Sequence, residues 1–229
     1  MHGRPYFHKI SELPQQFAVF PLPRVLLLPG SNLPLNIFEP RYLAMVDDAL
    51  KTGRAFAMIQ PHEKQPGGVP TGPNGLDRPA LYDVGCLGRL ISFQETGDGR
   101  YHILLQGVAR FRIRQELAVT TLYRQVIADF SEFEGDLSPA QSEEIDRAAL
   151  LQDFKRYLEH RQLSTDWKAV ENTPTEDIVN SLAMNCPFEA SEKQALLEAA
   201  DLKARATILT ALIRMASAGP GEPPDATLQ

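Results

Sequence analysis

Apolar residues between Phe17 and Phe38 come in short runs, FAVF, VLLL and LPLNIF, with prolines between them. Such runs predict strands, and proline is tolerated at strand ends and on edge strands, where it costs no ladder hydrogen bond. Pro29-Gly30 predicts a turn between two of them. At Pro40 the period changes. Tyr42, Met45, Val46 and Ala49 recur at helical spacing, proline suits the first helical position, and Gly53 supplies a stop. The pattern then returns to strand in AFAMIQ (55–60).

Residues 61–79 are rich in proline and glycine and predict a mobile surface loop. Two β-rich runs follow, LYDVGCLGRLISFQET and RYHILLQGVARFRI, joined by Gly97-Asp98-Gly99, a hairpin signal. TTLYRQVIADF (120–130) predicts another strand. From Ser138 the period is helical. SPAQ (138–141), TPTE (173–176) and SEKQ (191–194) each set Ser or Thr three residues ahead of Gln or Glu, a capping-box pattern that predicts three helix starts. The first helix runs to about His160 with Leu151, Phe154 and Leu158 in one stripe. The second carries Ile178, Val179, Leu182, Ala183 and Cys186 and stops at Pro187. The third carries Leu196 and Leu197. A fourth carries Leu202, Leu209 and Ile213. The expected organisation is an extension (1–16), a mostly β region (17–131), a helical bundle (132–218) and a disordered tail (219–229).

Charge follows the same division. Residues 1–130 hold 14 Lys+Arg against 11 Asp+Glu, and residues 131–229 hold 9 against 18, giving +3 and −9 and the net −6. Neither part is a basic stripe suited to displacing counterions from nucleic acid. At 43% hydrophobic and 23% charged, the 229 residues suit a folded soluble protein. No apolar run reaches the ~20 residues of a membrane span, and the N-terminus lacks a signal-peptide pattern, which points to the cytoplasm.

Candidate chemistry is sparse. No glycine-rich loop ends in Lys-Ser or Lys-Thr, and GCLG (85–88) lies within a strand, where its glycines mark a bend or bulge. No G-x-S-x-G elbow is present. Cys86 and Cys186 read as core, His102 as a satisfied structural histidine, and Glu143, Glu144 and Asp146 as charges that complement a helix start. The scattered histidines and two distant cysteines give no metal set, so neither metal nor other cofactor is expected. The one patterned polar set is RFRIRQ, whose alternation puts Arg110, Arg112 and Arg114 on one strand face. The plain reading is a solvated face; the sharper one is an anion or RNA contact.

FPLPRVLLLPGSNLPLNIFEPRYLAMV, the VGCLGRL strand, the GVARFRI strand and SLAMNCPFEASEKQALLEA together resemble the N-terminal domain of Lon protease, above all its stand-alone bacterial version. The resemblance spans about residues 17–215. It implies an α+β fold: a PUA-like, mostly antiparallel β-barrel with one early helix, followed by a C-terminal helical bundle. It also implies a non-catalytic module that recognises unfolded or degron-bearing polypeptides, with ATPase and Ser-Lys protease motifs lacking and a separate ATPase or protease as partner. Apolar residues of the signature stretch, Phe20, Leu22, Leu35, Ile37, Phe38 and Tyr42, are the expected lining of a binding surface. An RNA- or small-ligand-binding PUA-like protein is the alternative, with the arginine row as its contact.

Overall fold

The computed structural model describes residues 7–62, 79–138 and 144–217. Strands β1 (Gln16–Pro21) and β2 (Asn32–Ile37) precede helix α1 (Pro40–Lys51). Strands β3 (Ala55–Ile59), β4 (Val84–Glu95), β5 (Tyr101–Glu116) and β6 (Arg124–Asp129) follow. After a 3-10 segment, Ser131–Leu137, come α2 (Arg147–His160), α3 (Trp167–Asn172), α4 (Thr175–Asn185), α5 (Ala190–Glu198) and α6 (Leu202–Ser217). The Pro/Gly-rich loop and the tail fall outside the described residues, apart from the ends of the loop.

The six strands form one sheet in the order β2-β5-β4-β3-β1-β6. β5, at 16 residues, serves three neighbours. Its first part (101–106) pairs with β2, residues 101–112 pair with β4, and its end (112–116) pairs with β6. Because β6 also pairs with β1, the pairings run β5-β4-β3-β1-β6 and back to β5, with β2 outside the circuit. Only β1 and β3 run parallel among these pairs. Register shifts at Leu87/Gly88 and Leu90/Ser92 on β4, and near Gln115 on β5, supply the bends that let the sheet turn on itself. All five strands of the circuit contribute to one apolar cluster, which includes Phe17, Val19, Ile59, Leu87, Phe111 and Val126.

A second, larger cluster joins the sheet to the helices. It contains Tyr42, Met45 and Val46 of α1, Ile103 and Leu105 of β5, and Phe154, Val179, Leu196, Leu209 and Ile213 of the C-terminal helices. Leu26, Leu27 and Leu28 sit in it as well. VLLL is therefore buried but is not a strand, contrary to the sequence reading. A strand on one sheet face turns alternate side chains outward, whereas these three consecutive leucines are all inside. Their backbone instead crosses β5 at Gly107, where a β-carbon would lie 2.0 Å from the Leu28 carbonyl oxygen.

The helix starts also differ from the capping-box reading. Ser138 ends the 3-10 segment, its N–H donating to the Gly135 carbonyl, while Gln141 lies outside the described residues. α2 begins at Arg147, where the Asp146 carboxylate accepts from the Ala149 N–H at 3.0 Å. Thr173 donates its hydroxyl back to Ala169 and closes α3, a helix the periodicity did not reveal; Pro174 caps α4 without a side-chain bond. The capping box of α5 exists two residues earlier than expected, between Glu189 and Glu192. Pro187 follows α4 as expected, and Pro40 starts α1 with Glu39 and Arg41 hydrogen-bonded across that junction at 3.0 Å.

Buried polar side chains hold the helices on the sheet. The Gln60 amide donates to the Ala190 carbonyl at 2.9 Å, and Gln194 donates to the Val84 carbonyl at 3.0 Å. Arg110 does most. Its guanidinium meets Asp136 at 2.7 Å, donates to the Leu197, Ala199 and Ala200 carbonyls at and just past the end of α5, and lies 4.6 Å from the centre of the Phe133 ring. Arg110→Ala leaves a buried carboxylate and the last carbonyls of α5 without this partner, so we expect a loss of about 3–5 kcal/mol in urea unfolding. The Arg110→Ala/Asp136→Ala double variant should lose less than the sum of the single variants. Gly107→Ala should cost about 1–3 kcal/mol or more by the same measurement, because the atom in its way is backbone.

Candidate functional site

The six apolar residues singled out from the signature stretch do not share one environment. Phe20, Ile37 and Tyr42 are core, at 6%, 1% and 5% exposure, with the Phe20 and Tyr42 rings 4.0 Å apart. Leu22 and Leu35 are half-buried, and Phe38 is 60% exposed. The structure therefore leaves Phe38, with the exposed parts of Leu22 and Leu35, as surface and withdraws the other three into the interior.

Around Phe38 the sheet brings together residues that sequence reasoning did not select. Beyond its pairing with β3, β4 pairs with β5 alone among the described residues, and after Leu90 every residue of β4 is exposed. Cross-strand register places Ile37 and Glu95 opposite Tyr101, and Phe93 opposite Ile103. The Phe93 ring meets Tyr101 edge-on at 4.9 Å, and the Tyr101 hydroxyl donates to Asp47 of α1 at 3.0 Å. The Arg100 guanidinium lies 5.9 Å from the Phe38 ring centre. Two aromatic contacts thus lie at this end of the sheet, Arg100 against Phe38 and Phe93 against Tyr101. Ile91, displaced by the β4 register shift, is exposed nearby in the chain. The available signal was the length of the run before the Gly-Asp-Gly turn: Ile91 and Phe93 lie beyond the part of β4 that pairs with β3.

The arginine row is not one solvated face. Arg110 is 4% exposed and is consumed in the junction described above. Arg112 pairs with Glu132 at 2.8 Å, and Arg114 lies 3.6 Å from Asp129. The Arg112 hydrogen bonds hold the Glu132 carboxyl below its usual range. Acids of β6 and the 3-10 segment that follows it therefore meet the row one by one, a pairing invisible without the fold.

Beside Arg110 a cleft of about 420 Å³ opens between the 3-10 segment and the start of α6, lined among others by Glu132, Asp136, Glu144, Lys203 and Arg205. Lys203 pairs with Glu144 at 2.6 Å. Arg205 donates to the Leu196 carbonyl at 2.9 Å and to Asn180 at 3.1 Å, and burial, with Arg110 nearby, brings its pKa down to about 10. The charged groups of this cleft are engaged in ion pairs and carbonyl contacts that pin helices together.

The two cysteines offer no thiolate nucleophile. Cys86 is buried and its thiol is pushed far up by desolvation; Cys186 is pushed to about 11, again by burial. Neither is a thiolate at neutral pH. His102 is exposed on β5, not buried in a structural bond. Asp146 caps α2 and Glu144 pairs with Lys203, so both serve helix ends and contacts; Glu143 lies outside the described residues. Among the described residues no group of three or more His, Cys, Asp or Glu side chains is placed to hold a metal ion, and no helix is long and apolar enough to cross a membrane.

Comparison with known proteins agrees with this architecture. The ATP-dependent protease La (LON) substrate-binding domain matches residues 16–214. Lon protease 2 of Myxococcus xanthus is 26% identical over 213 residues, 89% of this chain, and Lon protease of Anaeromyxobacter dehalogenans is 25% identical over 221 residues, 92% of this chain. Each match takes in 24% of the relative, so the chain spans about a quarter of the length of the curated relatives it matches. A Lon N-terminal domain protein from Xanthomonas campestris superposes with a TM-score of 0.57 at 23% identity, covering 86% of this chain and 97% of its own. The N-terminal domain of the Mycobacterium avium complex Lon protease gives 0.58 at 14% identity, with the same coverage. At these identities the structural likeness is one of fold. With the family match running over most of its length, the chain belongs to the ATP-dependent protease La (LON) substrate-binding domain family.

Proposed function

We propose that this chain is a non-catalytic polypeptide-recognition module that takes unfolded or degron-bearing segments on the surface formed by Phe38, Phe93 and Tyr101. The observation that carries the reading is a pair of phenylalanines at the same end of the sheet, Phe38 60% exposed beside Arg100 and Phe93 37% exposed against Tyr101. Exposed aromatic side chains near one another mark interaction surfaces, and here one sits on β4 and the other directly follows β2. In this reading the closed strand circuit is a PUA-like barrel and residues 132–218 a helical subdomain that braces it. The module works in the cytoplasm beside ATPase and protease activities held elsewhere, and needs no cofactor.

The polypeptide reading stands ahead of RNA binding because each guanidinium of the row Arg110, Arg112 and Arg114 is already matched by a carboxylate. A small ligand in the cleft beside Arg110 is disfavoured for a similar reason, since the ion pairs lining it brace the fold.

Titration of fluorescently labelled unfolded casein tests the proposal. Wild-type protein should bind, and the Phe38→Ser/Phe93→Ser variant should bind about tenfold more weakly, corresponding to ~1.4 kcal/mol. Its melting temperature should fall by only a few degrees, because Phe38 is 60% exposed and Phe93, which loses its contact with Tyr101, is 37% exposed. Undiminished binding by the variant, or none by wild type, would overturn the assignment.

A further inference from the structure

The outer edge of β2 is open, and its main chain has a polarity that can be read from the register. Asn32 lies opposite Gln106, which places Ser31 opposite Gly107, and the Gly107 N–H donates to the Ser31 carbonyl at 2.8 Å. Antiparallel ladders alternate bonded and non-bonded pairs. Leu33, Leu35 and Ile37 therefore take the bonded positions, and the main-chain groups of Asn32, Pro34 and Asn36 point away from β5. Among the described residues no strand pairs with that side and no backbone hydrogen bond reaches those groups. Pro34 has no N–H to lose there, which is why the strand accommodates it.

Natural sheet edges are usually guarded by charge, bulges or proline. β2, with the sequence NLPLNI, carries no charged residue and a single proline. Its inward-facing Leu33 and Leu35 are only half-buried, although they pack against the main core. A neighbouring strand on the open side would cover what remains of both.

We propose that this edge receives an uncharged extended segment of a client polypeptide, which adds to the sheet as a further strand and lays alternate apolar side chains beside Leu33 and Leu35. The inference rests on the polypeptide-binding reading above and gives it a mode: main-chain hydrogen bonds for grip, and apolar residues at every second position for choice. The edge offers the carbonyls of Asn32, Pro34 and Asn36 but the N–H groups of the two asparagines only, so the segment must present an N–H opposite Pro34. A second copy of this chain fits poorly. In the antiparallel register that sets Asn32 against Asn36 and so matches all three outward positions, Pro34 faces Pro34, and both carbonyls there meet a ring nitrogen that has no proton. A six-residue edge also falls well short of the ~1,200 Å² of a standing complex, which suits passing occupancy by a client.

The experiment uses the intact protein, unfolded casein, a short peptide alternating Val and Thr, and the same peptide N-methylated at every second residue. Wild-type protein should bind the plain peptide and should bind the methylated one about tenfold more weakly, a comparison that needs no variant. Asn36→Pro removes an outward N–H and no bond to β5, and Asn36→Lys places a charge at the exposed edge; each should weaken the plain peptide by a similar factor. If wild type binds casein but treats both peptides alike, and both Asn36 variants bind as wild type does, strand addition is wrong while surface recognition stands. If wild type binds neither casein nor peptide, the polypeptide reading fails and takes this mode with it. Sedimentation showing a dimer that Asn36→Pro dissolves would put a second copy on the edge and overturn the proposed occupant.

Discussion

One guanidinium holds the two halves of this protein in register. Arg110 leaves β5 at the point where the strand turns from β4 toward β6, and it ends among the carbonyls that α5 leaves unpaired. Helix C-termini carry partial negative charge and need donors, and a planar cation with five N–H groups supplies several at once. Asp136 neutralises it from the 3-10 segment and Phe133 covers its face. The orientation of the helices on the sheet, and the placing of the cleft beside them, follow from this contact together with the Gln60 and Gln194 amides.

Much of the fold could be read along the chain where a single period dominates. Tyr42, Met45, Val46 and Ala49 announced α1 because a helix with one buried face must repeat that way, and all four are buried. The Gly-Asp-Gly turn announced the β4–β5 hairpin because a tight connection needs glycine, and Gly99 indeed has φ of 76°. What failed depended on distant partners. Three consecutive leucines look like strand until β5 passes across them at Gly107. Serine and threonine three residues ahead of an acid or amide look like caps until a nearby Asp146 or Glu189 serves better, or until the preceding 3-10 turn or short helix claims the residue for its own end.

The site was legible only in part, for a related reason. Alternation says that two faces exist but not which one meets helices, so Phe20, Ile37 and Tyr42 looked as available as Phe38. The arginine row posed the same problem: spacing put three cations on one side, and only the fold shows that acids of β6 and the 3-10 segment meet them there. Phe93 belongs to the surface because β4 continues beyond its pairing with β3. That is a matter of relative element length, which no local window contains.

The closed circuit of strands also sets an order of events. β4 and β5 are neighbours joined by a short turn, and their pairing is local. The last seam is not: Gln16 stands opposite Ile127, so the first strand waits for a partner more than a hundred residues along the chain. Closing so long a loop is entropically slow compared with forming a hairpin. During synthesis β1 leaves the ribosome well before β6 exists, and its apolar face, Phe17 and Val19 among it, stays without that neighbour meanwhile. A member of a substrate-binding domain family thus passes through a stage in which its own first strand is an unpaired apolar segment.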